Sequence, residues 1–188
     1  MKILHIDTET TGINEEQHSI IQLAGLIEID DKIVEKFNIK MRPWEGARIT
    51  KHALKVNNTS IEDLKTYQSF KDGYTQFKRI IYKYIDPLDK KDKMFVEGYN
   101  IAFDIKFIRK MFEKNDDIYY GSLFWSHSID TMSLATVCLM ETRHLMENFK
   151  LGTVCRQLGI GWDDEKAHDA MYDIIQTVKL YRKIIKGE

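Results

Sequence analysis

Cysteine and proline are scarce in this 188-residue chain, two of each, and it has no long apolar run and no excess of one charge. Cys138 and Cys155 lie inside apolar stretches with no Cys-x-x-Cys spacing, so two buried thiols are expected rather than a redox pair or a thiolate metal site. No apolar stretch approaches the roughly 18 residues of a membrane span, and Asp7 interrupts the N-terminal one. Neither a signal peptide nor contact with a membrane is expected, and a reducing cytoplasm is the expected setting. Lys and Arg number 28 against 29 Asp and Glu, a net charge of -1, which gives no general attraction for a polyanion. That argues against a long non-specific nucleic-acid groove. It leaves room for a site that grips only the last few nucleotides, where bound metal ions supply positive charge locally. Internal repeats and Pro/Gly-rich linkers are also missing, so one domain spanning residues 1–188 is expected. With 43% hydrophobic residues it can bury a substantial core.

What is present is organised around Ile3-Leu4-His5-Ile6-Asp7-Thr8-Glu9-Thr10-Thr11-Gly12, an apolar run ending in two carboxylates and a glycine. Alternate residues of a strand share a face, so Asp7 and Glu9 offer their oxygens to one point in space. Two like charges held that close call for a cation, and hard divalent ions such as Mg2+ prefer carboxylate oxygen. The plainer alternative is a solvated turn, which Asp-x-Glu alone does not exclude.

Further along, Ser19 to Ile29 and Lys32 to Met41 read as a hairpin turning at Asp30-Asp31. Ile49, Ala53 and Val56 predict a helix from Gly46 that breaks at Asn57-Asn58. Ser60 caps another, and a third runs from about Ser69 to Ile85, with the aromatic stripe Phe70, Tyr74, Phe77, Ile81 and Tyr84 facing a core. Met94 to Gly98 is a short strand, followed by a helix that Asn100 can cap and that contains Phe103, Phe107, Ile108 and Met111. Ile129-Asp130-Thr131 marks a strand end and the start of a helix reaching Glu141. A short helix holds Leu151 to Leu158 and stops at Gly159. The closing helix carries Ala167, Met171, Ile174, Val178, Tyr181 and Ile185 at alternating spacings of four and three. Strands first and helices later suggest an α/β domain with a mixed sheet.

Ligands of open α/β sheets gather at strand ends, which singles out Asp104, in the first helical turn after a strand. An ordinary helix-dipole role is the alternative. Asp173, on the last helix, lies about 100 degrees off the apolar stripe, and His168 lies roughly 140 degrees from Asp173 on an ideal helix. A histidine at the helix start, or in the loop before it, can still turn toward a site that Asp173 lines. The positive end of the helix keeps such an imidazole neutral and able to accept a proton. The remaining histidines, His5, His18, His52, His127 and His144, read as surface or capping residues.

Asp7-x-Glu9, Asn100-Ile101-Ala102-Phe103-Asp104 and His168-x4-Asp173, in that order, resemble the DEDDh family of 3′–5′ exonucleases, relatives of the bacterial proofreading subunit and ribonuclease T. Asp7 to Gly12, Ala53 to Asn58, Ile129 to Thr131 and Lys150 to Ile160 look like family segments as well. The resemblance implies a ribonuclease H-like fold with a central mixed five-stranded sheet flanked by helices, and two Mg2+ or Mn2+ ions. By it, Asp7 touches both ions, Glu9 and Asp173 complete one site, Asp104 holds the other, and His168 takes a proton from the attacking water. Thr10, Thr11 and Gly12 would lie against the terminal nucleotide, with Asn57 as a further substrate contact, and attack on the terminal linkage would release a nucleoside 5′-monophosphate. Asn58 departs from the glycine often found at its place.

The implied partner is the 3′ end of single-stranded DNA or RNA, since the 2′-hydroxyl is read by pocket shape. Polymerase or repair proteins are possible partners too. The chain offers no tail beyond Glu188 as a tether, so such an assembly would rest on a surface contact. Two other readings stay open: an oligoribonuclease-like phosphodiesterase acting on very short RNA, and a non-catalytic module that holds a nucleic-acid end or a polymerase. The second has no use for four converging carboxylates.

Overall fold

The computed structural model describes residues 1–187. Strand β1 (Lys2–Thr10) is central in a five-stranded sheet of order β3-β2-β1-β4-β5. Strands β2 (Ile20–Ile29) and β3 (Lys32–Lys40) form the expected antiparallel hairpin. Its two-residue turn needs left-handed backbone at Asp30 and Asp31, and aspartate tolerates that better than most residues. Strands β4 (Phe95–Gly98) and β5 (Ile129–Asp130) run parallel to β1, so the sheet is mixed.

Period-two alternation along β1 sorts its side chains. Leu4 and Ile6 enter the main core with Ile20, Leu23, Phe77 and Phe107. That core lies under α3 (Phe70–Tyr82) and α4 (Ala102–Glu113). Phe77 is fully buried, and truncating such a side chain to alanine costs about 3–5 kcal/mol. His5, Asp7 and Glu9 take the opposite face, beneath α8 (Ala170–Lys186), whose Ala170, Ile174 and Val178 pack on Ala24 and Leu26 of β2. Two short helices, α1 (Lys51–Val56) and α2 (Ile61–Thr66), cover Ile21 through Leu54 and Leu64. Ser60 and Asp63 form a reciprocal capping box at the start of α2. A single turn, α5 (Tyr120–Leu123), leads into Phe124, and both Leu123 and Phe124 are buried. Helices α6 (Thr131–Cys138) and α7 (Leu151–Gln157) share a smaller core with α8.

Several boundaries differ from expectation for local reasons. Helix α1 begins at Lys51, because the Thr50 side chain accepts from the Ala53 N–H and leaves Ile49 outside. Asn100 does not cap α4. Its backbone is left-handed, its N–H donates to Asp130 Oδ1, and α4 begins after Ile101 without a side-chain cap. Helix α6 stops at Cys138, so that thiol is exposed while Cys155 is buried as expected. Helix α8 starts three residues later than the apolar spacing predicts, since Asp169 caps it by accepting from the Tyr172 N–H. His5 and His18 are buried rather than superficial. No helix among the described residues is long and apolar enough to cross a membrane.

Candidate active site

Three elements, β1, α4 and α8, deliver four carboxylates to the exit end of β1. Asp7 and Glu9 leave its α8 face, Glu9 being buried and Asp7 half-buried. Asp104 comes from the first turn of α4 and is 4% exposed. Its Oδ1 accepts from the Thr8 N–H at 2.9 Å and from the Thr8 hydroxyl at 2.7 Å, which fixes the carboxylate against the strand. Asp173 comes from the first turn of α8. His168 sits just before that helix in left-handed backbone (φ +65°), and its N–H donates to Asp173 Oδ2 at 3.3 Å. Outside the helix, the ring is released from the phase that would have carried it away from Asp173. Ligand atoms of Glu9, His168 and Asp173 lie within 4.8 Å of one another.

The electrostatics are those of buried acids crowded against one another. Burial, reinforced by Asp104 and Glu9, holds the Asp7 carboxyl well above the usual carboxylate range. Burial together with Asp173 and Asp104 pushes Glu9 up to about 8. Burial raises Asp104 to about 7 against the opposing hydrogen bonds from Thr8, and raises Asp173 to about 6 against the His168 N–H. His168 is held below the ordinary imidazole value by desolvation and by Lys150. Asp173 Oδ1 is buried without a hydrogen-bond partner among the described residues. Such an oxygen is costly unless something supplies positive charge. Hard oxygen donors of this kind fit divalent cations.

Two cavities meet at the cluster. The first, of about 420 Å3, runs past Glu9, Thr10, Gly12, Asn57 and Phe103, with apolar walls from Ile13 and Val56. Asn57 Nδ2 donates to the Thr10 carbonyl at 2.8 Å and ties α1 to the end of β1. Gly12 is required by packing, since a Cβ there would meet the His18 ring at 2.3 Å. Asn58 is left-handed (φ +48°), a conformation asparagine adopts at modest cost where glycine is the usual solution. Thr11 does not reach the cavity. It is fully buried, with its hydroxyl donating to the Arg48 carbonyl and accepting from the Ser19 N–H. The second cavity, of about 400 Å3, opens on the far side of His168 and Asp173 and is lined by Lys150, Arg156 and Trp162.

Thus the structure brings Asp7, Glu9, Asp104, Asp173 and His168 together and places Thr10, Gly12 and Asn57 beside them. Sequence reading missed Thr8, although it lies inside the acidic motif, and missed His18 under Gly12. It also passed over Asp169, which reinforces the charge on Asp7 and Glu9. An aspartate just ahead of a helix is a cap signal, and that signal marks Asp169.

A family model for Exonuclease, RNase T type, matches residues 4–181. Ribonuclease T of Shewanella denitrificans is 27% identical over 186 residues, covering 96% of this chain and 78% of that protein. Ribonuclease T of Shewanella oneidensis is 28% identical over 186 residues, covering 96% and 80%. Among solved structures, E. coli exonuclease I in complex with a dT13 oligonucleotide superposes with a TM-score of 0.74 at 20% identity, over 97% of this chain and 41% of that one. This chain therefore spans about two-fifths of that protein. The nuclease domain of 3'hExo, a DEDDh family member bound to rAMP, gives a TM-score of 0.75 at 16% identity, over 99% and 92%. The fold is the ribonuclease H-like one that the motifs imply. With its acids and histidine gathered at one strand end, and with the family model covering nearly its whole length, this chain belongs to the RNase T exonuclease family, the DEDDh group of 3′–5′ exonucleases.

Proposed function

We propose that the protein hydrolyses the 3′-terminal phosphodiester of single-stranded DNA or RNA with two Mg2+ or Mn2+ ions and releases a nucleoside 5′-monophosphate. The observation that carries this reading is the cluster of Glu9, Asp173 and His168, whose ligand atoms lie within 4.8 Å of one another, with Glu9 lining a cavity of about 420 Å3. Asp7, Glu9, Asp104 and Asp173 are the residues that would hold the ions. When bound, such ions neutralise charge at the attacking and leaving oxygens of a phosphodiester. His168, held neutral by its surroundings, accepts the proton of the attacking water. The water oxygen bonds to phosphorus as the bond from phosphorus to the 3′-oxygen breaks, and that oxygen takes its proton from solvent.

Thr10 and Gly12 form the floor for the terminal nucleoside, Asn57 braces that floor, and Phe103 lines the same cavity. Names of relatives support the choice of polymer: ribonuclease T on one side, and a complex of E. coli exonuclease I with dT13 on the other. The test is incubation of end-labelled single-stranded DNA, RNA and dinucleotides with the protein and Mn2+, beside an Asp7→Asn control. Stepwise shortening from the 3′ end, stopped by chelator and absent in the variant, is expected. Cleavage of dinucleotides alone would replace this reading with a phosphodiesterase for very short chains. Activity surviving in Asp7→Asn would sink the site assignment.

A further inference from the structure

The cluster of Glu9, His168 and Asp173 stands between the two cavities. Glu9 lines the nucleoside cavity, while His168 and Asp173 line the second one, which Glu9 does not reach. A third cleft of about 290 Å3 touches His168 from the side of Lys40 and Lys166. Cations in these clefts are already engaged, with one exception. Arg156 Nη1 lies 3.1 Å from Asp164, Lys166 pairs with Asp163 at 2.9 Å, and Lys40 lies over the Tyr67 ring at 5.5 Å. Lys150 has neither a carboxylate in ion-pair reach nor an aromatic face among the described residues.

Its backbone, by contrast, is fixed. The Lys150 N–H donates to Asn148 Oδ1 at 3.0 Å, and Thr153 Oγ1 donates to the same oxygen at 2.7 Å, anchoring the start of α7. Two residues on, Gly152 lies so close to the Trp162 indole that a Cβ would come within 2.5 Å, which packs the cavity wall tightly. A rigidly based, unpaired ammonium therefore opens onto the cavity that holds Asp173 and His168.

This arrangement bears on the reaction proposed above and rests on that reading. In an in-line displacement the attacking water and the leaving 3′-oxygen lie on opposite sides of phosphorus. The group that takes the water's proton marks the entry side. His168 marks it here, and the polymer departs the other way, so the side facing Lys150 is where the new phosphate oxygen appears. Hydrolysis turns a singly charged diester into a monoester carrying up to two charges. A cation placed there binds product more strongly than substrate.

We propose that Lys150 binds the 5′-phosphate of the cleaved nucleotide from the side on which water enters, making the second cavity the phosphate's exit path. The test is calorimetric binding of AMP and of adenosine to the Mn2+-loaded protein, for wild type, Lys150→Met and Lys150→Arg, with oligonucleotide cleavage measured on the same preparations. Lys150→Met is expected to weaken AMP binding about tenfold, the size of one charged hydrogen bond. Adenosine binding and the melting temperature should stay unchanged, AMP binding should become less sensitive to salt, and Lys150→Arg should restore most of the affinity. Cleavage by the wild type with equal AMP affinity in Lys150→Met overturns the Lys150 assignment and leaves the nuclease reading standing. Equal losses for AMP and adenosine overturn it too, because they would mean a structural role. Absence of cleavage by the wild type removes both.

Discussion

His5, Asp7 and Glu9 leave the same face of β1, yet the acids around them are treated in opposite ways. At the inner end, His5 pairs across the sheet with Glu97, its Nδ1 2.6 Å from Glu97 Oε2, and its Nε2 lies 3.5 Å from Glu28. Arg182 of α8 donates to Glu28, and the Thr131 hydroxyl donates to Glu97. Two buried acids thus meet His5, Arg182 and Lys186, the last 3.8 Å from Glu28, and the neighbouring His5 ring together with the hydrogen bond from Arg182 brings Glu28 down to about 2 despite its burial. At the outer end, Asp7, Glu9, Asp104 and Asp173 meet only the Thr8 donors and a histidine kept below its ordinary value, and Glu9 rises to about 8. The chain can partner buried acids from its own resources. Where it does not, the unpartnered acids are those the proposed reaction would use to hold its cations.

The strongest challenge to this contrast is Asp7→Asn. Loss of cleavage is expected together with a higher melting temperature in chelator, because one repelling charge is removed from a cluster that nothing neutralises. A lower melting temperature would make the outer acids structural. Next in size, His168→Ala should reduce kcat by about a hundred- to ten-thousandfold, the usual contribution of a general base, with little change in the melting temperature since the ring is exposed. At the inner end the outcome is reversed. His5→Leu leaves Glu97 without a cation and should cost roughly 3–5 kcal/mol of stability, read from urea denaturation, while kcat per folded molecule is kept.

The pH profile separates the ends further. Carboxyls raised in the folded state add stability below their unfolded value and lose it as pH rises through the folded one. The metal-free protein should therefore lose stability from about pH 4 upward, through about 6 for Asp173, about 7 for Asp104 and about 8 for Glu9. His5, also raised, loses its contribution in the same direction, above its ordinary 6.5. Glu28 has the opposite sign: its contribution is present above 4.5 and is lost as pH falls through about 2. Melting curves from pH 2 to 9 should show a maximum in mild acid, and saturating Mn2+ should flatten the alkaline decline except for the part due to His5. Smallest of all, a maleimide should label Cys138 and spare Cys155, whose thiol burial pushes up to about 12, with no loss of activity.

How much of this was legible in the chain follows from how local each signal is. The β1 acids, the hairpin, the Ser60 cap and the aromatic stripe of α3 are set by neighbours a few residues apart, and they appear where the periodicity puts them except that α3 ends at Tyr82, short of Tyr84 and Ile85. Asp104 is marked by the gathering of ligands at strand ends, whereas Asp173 is marked only by the His168-x4-Asp173 spacing that resembles the family motif. His168 was nearly lost to helical phase. The structure resolves the conflict by starting α8 at Ala170, so that the ring is not on the helix at all. His5 gave no local sign of its role, since Glu28 and Glu97 arrive only through strand pairing and Arg182 only through the packing of α8. Thr11 looked like substrate floor because it stands between Thr10 and Gly12. The slip in pairing at the end of β1, between Glu9 and Thr10, precedes a turn that buries it instead.

The central contrast is tested most directly by calorimetric titration of Mn2+ into the chelator-stripped protein near pH 8, for wild type, Asp7→Asn and His5→Leu. Two ions per chain should bind to wild type and to His5→Leu, with proton release as the raised carboxyls ionise. Asp7→Asn should bind weakly or not at all. A flat titration of wild type, or equal binding by Asp7→Asn, would contradict the assignment of the outer acids to a metal centre.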